Sequence, residues 1–112
     1  MDEDLLPFKE PKNLKNALTA LREDLDNKVK IKWDSTTVWA GNKIQKYIWE
    51  NWRNDLLKRG FSWPKFLTLM KFNTDYAILW LYDKISWDDF LTKVRNSITG
   101  PLGNTLIEES RH

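Results

Sequence analysis

The sequence predicts a mainly α protein, a compact bundle of about five short-to-medium helices with a small β-hairpin around residues 28–40. Three observations predict it. Apolar residues recur at three- and four-residue spacing along most of the chain. Ser, Asn and Gly stand where helices of that phase must begin and end. Strand-like alternation is confined to one stretch after Asn27. A chain of 112 residues with 41% apolar and 30% charged residues can bury one core, without disulfides, of which it can form none for lack of Cys.

Residues 1–11 read as an extended lead-in, punctuated by Pro7 and Pro11 and carrying the acids Asp2, Glu3 and Asp4. Its Leu5, Leu6 and Phe8 are apolar enough to dock on the domain or on a partner. A first helix begins near Asn13, with Leu14, Ala17, Leu18, Leu21 and Leu25 on one face. Lys15, Thr19, Arg22, Glu23 and Asp26 then cover its solvent side. The period changes at Lys28-Val29-Lys30-Ile31-Lys32-Trp33, where charge and apolarity alternate and three lysines share a face. Asp34-Ser35 supplies a turn and Thr36 to Trp39 favours a strand. A continuous helix from Thr36 to Arg59 competes with this hairpin, and the break at Gly41-Asn42 favours the hairpin.

The second helix spans about Asn42 to Arg59 and stops at Gly60. Ile44, Ile48, Trp52 and Leu56 form its apolar stripe, widened by Trp49. Lys58 and Arg59 suit the negative end of its dipole. An internal echo follows: Ser62 to Thr68 and Ser86 to Thr92 both read S-W-x-x-F-L-T, 24 residues apart. In each copy Ser can cap a helix whose opening turn holds Trp and whose next buries Phe and Leu. Pro64 suits the first turn of one; Asp88 and Asp89 suit the positive end of the other. Asn73-Thr74-Asp75 caps a short helix between them, reaching about Asp83. Gly100-Pro101 ends the last helix, leaving a polar tail with one apolar pair, Leu106-Ile107, as a second candidate docking segment. The organisation expected is a lead-in over 1–11, a single helical domain over 12–100 and a tail over 101–112.

Composition narrows function mainly by exclusion. Without Cys, and with His112 as the one His, no Ser-His-Asp, Cys-His or His-rich zinc arrangement can be assembled. The four glycines are scattered, so no phosphate-binding glycine loop exists. The chain is therefore expected not to be an enzyme and to need no cofactor, metal or small-molecule substrate. The acids Asp83, Asp88 and Asp89 show no metal-ligand spacing. The acidic start has no apolar signal region, and the longest apolar run, Tyr76 to Tyr82, is far too short for a bilayer. An intracellular location is expected.

Two functional readings survive. The first is an interaction module, whether adaptor, inhibitor or self-associating component, that holds a protein partner through exposed tryptophans and the apolar terminal segments. Seven Trp are more than a core this small readily hides, and Trp63 and Trp87 at helix starts, with Trp33 and Trp39 near a turn, are the rings expected at the surface. Trp49, Trp52 and Trp80 are assigned to the core. The second reading is a DNA- or RNA-binding domain. Lys28, Lys30, Lys32, Lys43, Lys46 and Arg53 concentrate positive charge in a chain whose formal net charge is only +2, with Trp33 and Trp39 as stacking surfaces. The balanced overall charge, and Glu50 among Lys43, Lys46 and Arg53, favour the first reading. A helix-turn-helix over residues 61–84 fails because its second helix, Tyr76 to Tyr82, is apolar all round and lacks base-reading side chains; it is expected in the core.

Overall fold

The computed structural model describes residues 6–27 and 43–109, with only the backbone described for 21–27 and 109. Six helices, and no strand, are present among the described residues: α1 (Lys12–Asn27), α2 (Lys43–Lys58), α3 (Trp63–Lys71), α4 (Thr74–Leu81), α5 (Trp87–Thr99) and α6 (Pro101–Glu109). The expected hairpin over 28–40 lies outside the described residues. α2 packs on α3; α3 packs on α5 and α6; α4 packs on α1 and α5; and α5 packs on α6.

The stripe of α2 is buried as its spacing predicts, at Ile44, Ile48, Trp52 and Leu56. On α1, Leu18 is buried and Leu14 half-buried, while Ala17, expected on the same face, is exposed. Gln45 is also buried, with its Oε1 unpaired among the described residues. α2 ends in a Schellman turn: the Phe61 N–H donates to the Leu56 carbonyl at 2.9 Å and the Gly60 N–H to that of Leu57 at 3.1 Å. Gly60 has φ +99°, and a Cβ there would lie 3.1 Å from Ile107 of α6, so the turn and the packing both call for glycine.

The α4–α5 connection uses the same device with a different residue. Lys84 N–H donates to the Leu79 carbonyl at 2.8 Å and Asp83 N–H to that of Trp80 at 3.0 Å, with Asp83 at φ 59°. The Asp83 carboxylate accepts from Lys15 Nζ, which also lies 3.6 Å from Glu10 and 5.2 Å from the centre of a Trp80 ring. Asp83 is thus tied to α1, and Asp88 and Asp89 sit in the first turn of α5; no cluster of potential metal ligands occurs among the described residues.

Residues expected to form a polar tail instead build a sixth helix. Gly100 ends α5 and Pro101 opens α6, whose Leu106 is buried and whose Leu102 and Ile107 pack against the core. Pro101 stops one helix and starts the next, because its missing N–H costs nothing in a first turn. Gly103 permits the sharp reversal: a Cβ there would fall 2.0 Å from the Ile98 carbonyl oxygen. The pair Leu106-Ile107 is therefore packing, not a free docking segment.

Asn73 stands at the N-cap position of α4 without capping it. Wholly buried, its side chain donates to the Leu69 carbonyl at 3.1 Å and accepts from Ser97 Oγ at 3.2 Å, pinning the α3–α4 turn to α5.

Candidate interaction surfaces

The lead-in determines which tryptophans reach the surface. Residues 6–10 meet α2 at Trp52, beside Leu6, and at Tyr47, beside Lys9, and supply acceptors to side chains from three helices. Trp87 Nε1 donates to the Phe8 carbonyl at 2.9 Å, Tyr47 Oη to that of Lys9 at 2.6 Å, and Trp80 Nε1 to Glu10 Oε1 at 2.7 Å. Trp52 Nε1 approaches the Leu6 carbonyl at 3.4 Å. A large indole can be buried when its one N–H finds an acceptor. The Phe8 ring closes the arrangement edge-on to Tyr47, Trp52 and Trp87, at centroid distances of 5.3, 5.4 and 5.8 Å.

This overturns one expectation. Trp87, read as a surface ring, is only 5% exposed and belongs to the core with Trp52 and Trp80. Trp63 is half-buried beside Trp49 and Phe66, and Trp49 itself, assigned to the core, is half-buried too. Lys28, Lys30, Lys32, Trp33 and Trp39 lie outside the described residues. Arg53 is exposed on α2, away from the groove that collects Lys43 and Lys46.

That groove, about 720 Å³, lies between the lead-in with the first turn of α1 and the first two turns of α2. Lys9 and Lys12 line one wall and Lys43 and Lys46 the other, with Pro11, Leu14 and Tyr47 as its apolar part. The Tyr47–Lys9 hydrogen bond ties the two walls together. All four lysines are exposed, and none of their ammonium groups makes an ion pair or hydrogen bond among the described residues. Of the two carboxylates present, Glu10 is engaged by Trp80 and Lys15, leaving Glu50 exposed at the edge. Lys9 and Lys12 were not among the residues singled out from sequence. A signal for Lys12 existed: α1 and α2 both open on lysine, with no acid in the first turn, where the helix dipole favours acids.

A second surface is apolar. The helix expected in the core is buried on one side alone, through Ala77, Trp80 and Leu81. Its outer arc carries Asp75 and Leu79, flanked by half-buried Tyr76 and Ile78, with Lys93 Nζ 5.5 Å from the Tyr76 ring centre. Leu79 is 38% exposed, and Phe72, in the turn entering α4, is 66% exposed. Sequence reasoning missed this face because the run Tyr76 to Tyr82, without a charged residue, looks buried all round; α4 is short and, among the described residues, packs chiefly on α1 and α5. Of the terminal segments, Leu6 is 60% exposed while Phe8 packs on the core.

Comparison with protein families, with curated proteins and with solved structures found no match to this chain. Among the described residues, no helix is long and apolar enough to cross a membrane.

Proposed function

We propose that this chain is a non-catalytic interaction module that docks a protein partner through the outer face of α4 and the adjoining Phe72. One observation carries the reading: α4 holds a single charged residue, Asp75, on its outer arc, and leaves Leu79 and the neighbouring Phe72 in water. Apolar surface in water costs roughly 25 cal/mol per Å², and covering it with a complementary surface recovers that free energy. Phe72 has the anchor chemistry of an interface centre, a large rigid ring with little rotamer entropy to lose. Of the tryptophans expected for this role, Trp87 is enclosed by the lead-in and Trp63 is half-buried, and the α4 face is built without either.

Photo-crosslinking tests the reading. A benzophenone side chain placed at Phe72 or Leu79, in the protein's own cells, is expected to give a discrete protein adduct. The same probe at Ser62, exposed on the neighbouring turn, is expected to give none. Leu79→Asp should abolish the adduct formed from position 72. Equal labelling from Ser62, or no adduct from either α4 position, contradicts the proposal.

A further inference from the structure

We infer that the lysine-lined groove between the lead-in and α2 is a second binding site, and that its ligand is an acidic, amphipathic peptide segment of a protein. This goes beyond the docking role of α4 and rests on different residues.

The first argument is charge. Lys9, Lys12, Lys43 and Lys46 approach the groove from both walls, and none is paired among the described residues. Four like charges around one concavity repel one another, and the repulsion is relieved by a ligand of opposite sign. Of the groove's own acids, Glu50 can offset one of the four charges, and Glu10 does little. Glu10 accepts the Trp80 indole N–H at 2.7 Å and has Lys15 Nζ at 3.6 Å, so its charge is turned towards the core side.

The second argument is the apolar part. Pro11, Leu14 and Tyr47 lie between the two pairs of lysines. A bare phosphate or a sugar–phosphate strand has nothing to place against such a surface. A peptide with carboxylates on either side of a leucine-like residue satisfies both features at once. Nucleic acid fits less well for two further reasons. Glu50 also lines the groove, where it opposes a continuous run of phosphates, whereas a peptide can set a neutral residue opposite it and keep its carboxylates for the lysines. The Tyr47 ring packs edge-on against Phe8 and tilted against Trp87, at 5.3 and 6.2 Å, so it offers a base less of its face than a free surface ring would. The chain's own connection over 28–42 is no complement, since Lys28, Lys30 and Lys32 outweigh Asp34.

The groove is also held in place before any ligand arrives. The Tyr47 Oη–Lys9 carbonyl bond at 2.6 Å and the Trp87–Phe8 bond fix the lead-in, so the wall bearing Lys9 and Lys12 need not be ordered on binding.

The test uses the full chain and a fluorescein-labelled peptide in which pairs of glutamates alternate with leucine, followed by anisotropy. The expected result is saturable binding that weakens by about tenfold or more in the Lys43→Glu, Lys46→Glu double variant, with an unchanged far-ultraviolet dichroism spectrum. The same peptide with lysine for glutamate should fail to bind the wild type and should gain affinity for that variant. Replacing leucine by serine in the acidic peptide should also weaken binding, which a purely electrostatic surface would not show. Phe72→Asp should leave peptide affinity unchanged, so the α4 reading can fail separately. Failure of the glutamate peptide to bind, indifference to the lysine reversals, or tighter binding of a single-stranded thymidine oligonucleotide overturns the inference.

Discussion

The segments Ser62 to Thr68 and Ser86 to Thr92 share five of seven residues and begin their helices in the same way. Ser62 Oγ accepts from the Lys65 N–H at 3.4 Å, and Ser86 Oγ from the Asp89 N–H at 3.0 Å. Thr68 and Thr92 each donate back to the carbonyl four residues earlier, at 3.1 and 2.9 Å. Phe66 and Phe90 are both wholly buried. Their tryptophans then part company. Trp63 is half-buried in a peripheral group with Trp49 and Phe66, at 5.7 and 6.3 Å. Trp87 sits in the core, 4.9 Å from Trp80, beneath Phe8 and hydrogen-bonded to the Phe8 carbonyl. Leu67 is likewise half-buried where Leu91 is buried. The local device that starts a helix is the same; what differs is that a distant segment, the lead-in, covers one copy and leaves the other uncovered. This also explains why the binding surfaces proposed above are a groove and the face of α4, and not the tryptophan at the head of α5.

The comparison can be broken most severely at the tryptophans. Trp87→Ala removes a fully enclosed ring and orphans the packing around it, and should cost about 4 kcal/mol of unfolding free energy. Trp63→Ala, at the half-buried position, should cost about 1–2 kcal/mol. Urea denaturation of the two variants measures both, and equal costs would mean that the lead-in does not distinguish the copies. The caps sharpen the comparison from the other side. Ser62→Ala and Ser86→Ala should each cost about 1 kcal/mol and differ little, because capping is a local interaction present in both copies. A much larger loss at Ser86 alone would show that the cap is coupled to the lead-in.

How far the architecture was legible follows the same division between local and distant causes. The α2 stripe, the Gly60 stop and both Ser caps depend on neighbours within a turn, and spacing alone reveals them. α6 was hidden because Gly100-Pro101 reads as a stop. Only the fold shows that Pro101 occupies a first turn and that Gly103 meets the Ile98 carbonyl. Asn73 looked like a cap from its type, yet a buried partner, Ser97, claims its side chain from 24 residues away. Of the candidate binding residues, Lys43 and Lys46 fall in the groove, but Lys9 and Lys12 join them by tertiary packing, of which the lysine that opens α1 is the one local trace. The bare side of α4 is equally non-local, since hydrophobicity says what a helix prefers and not how many neighbours it obtains.

The claim that the lead-in sorts the tryptophans is tested most directly by hydrogen exchange at the indole nitrogens, followed by nuclear magnetic resonance on the full chain. The Trp80 and Trp87 indole protons, bound to Glu10 and to the Phe8 carbonyl, should exchange at least about a hundredfold more slowly than that of Trp63, which has no acceptor among the described residues. Exchange at Trp87 as fast as at Trp63 would contradict the account.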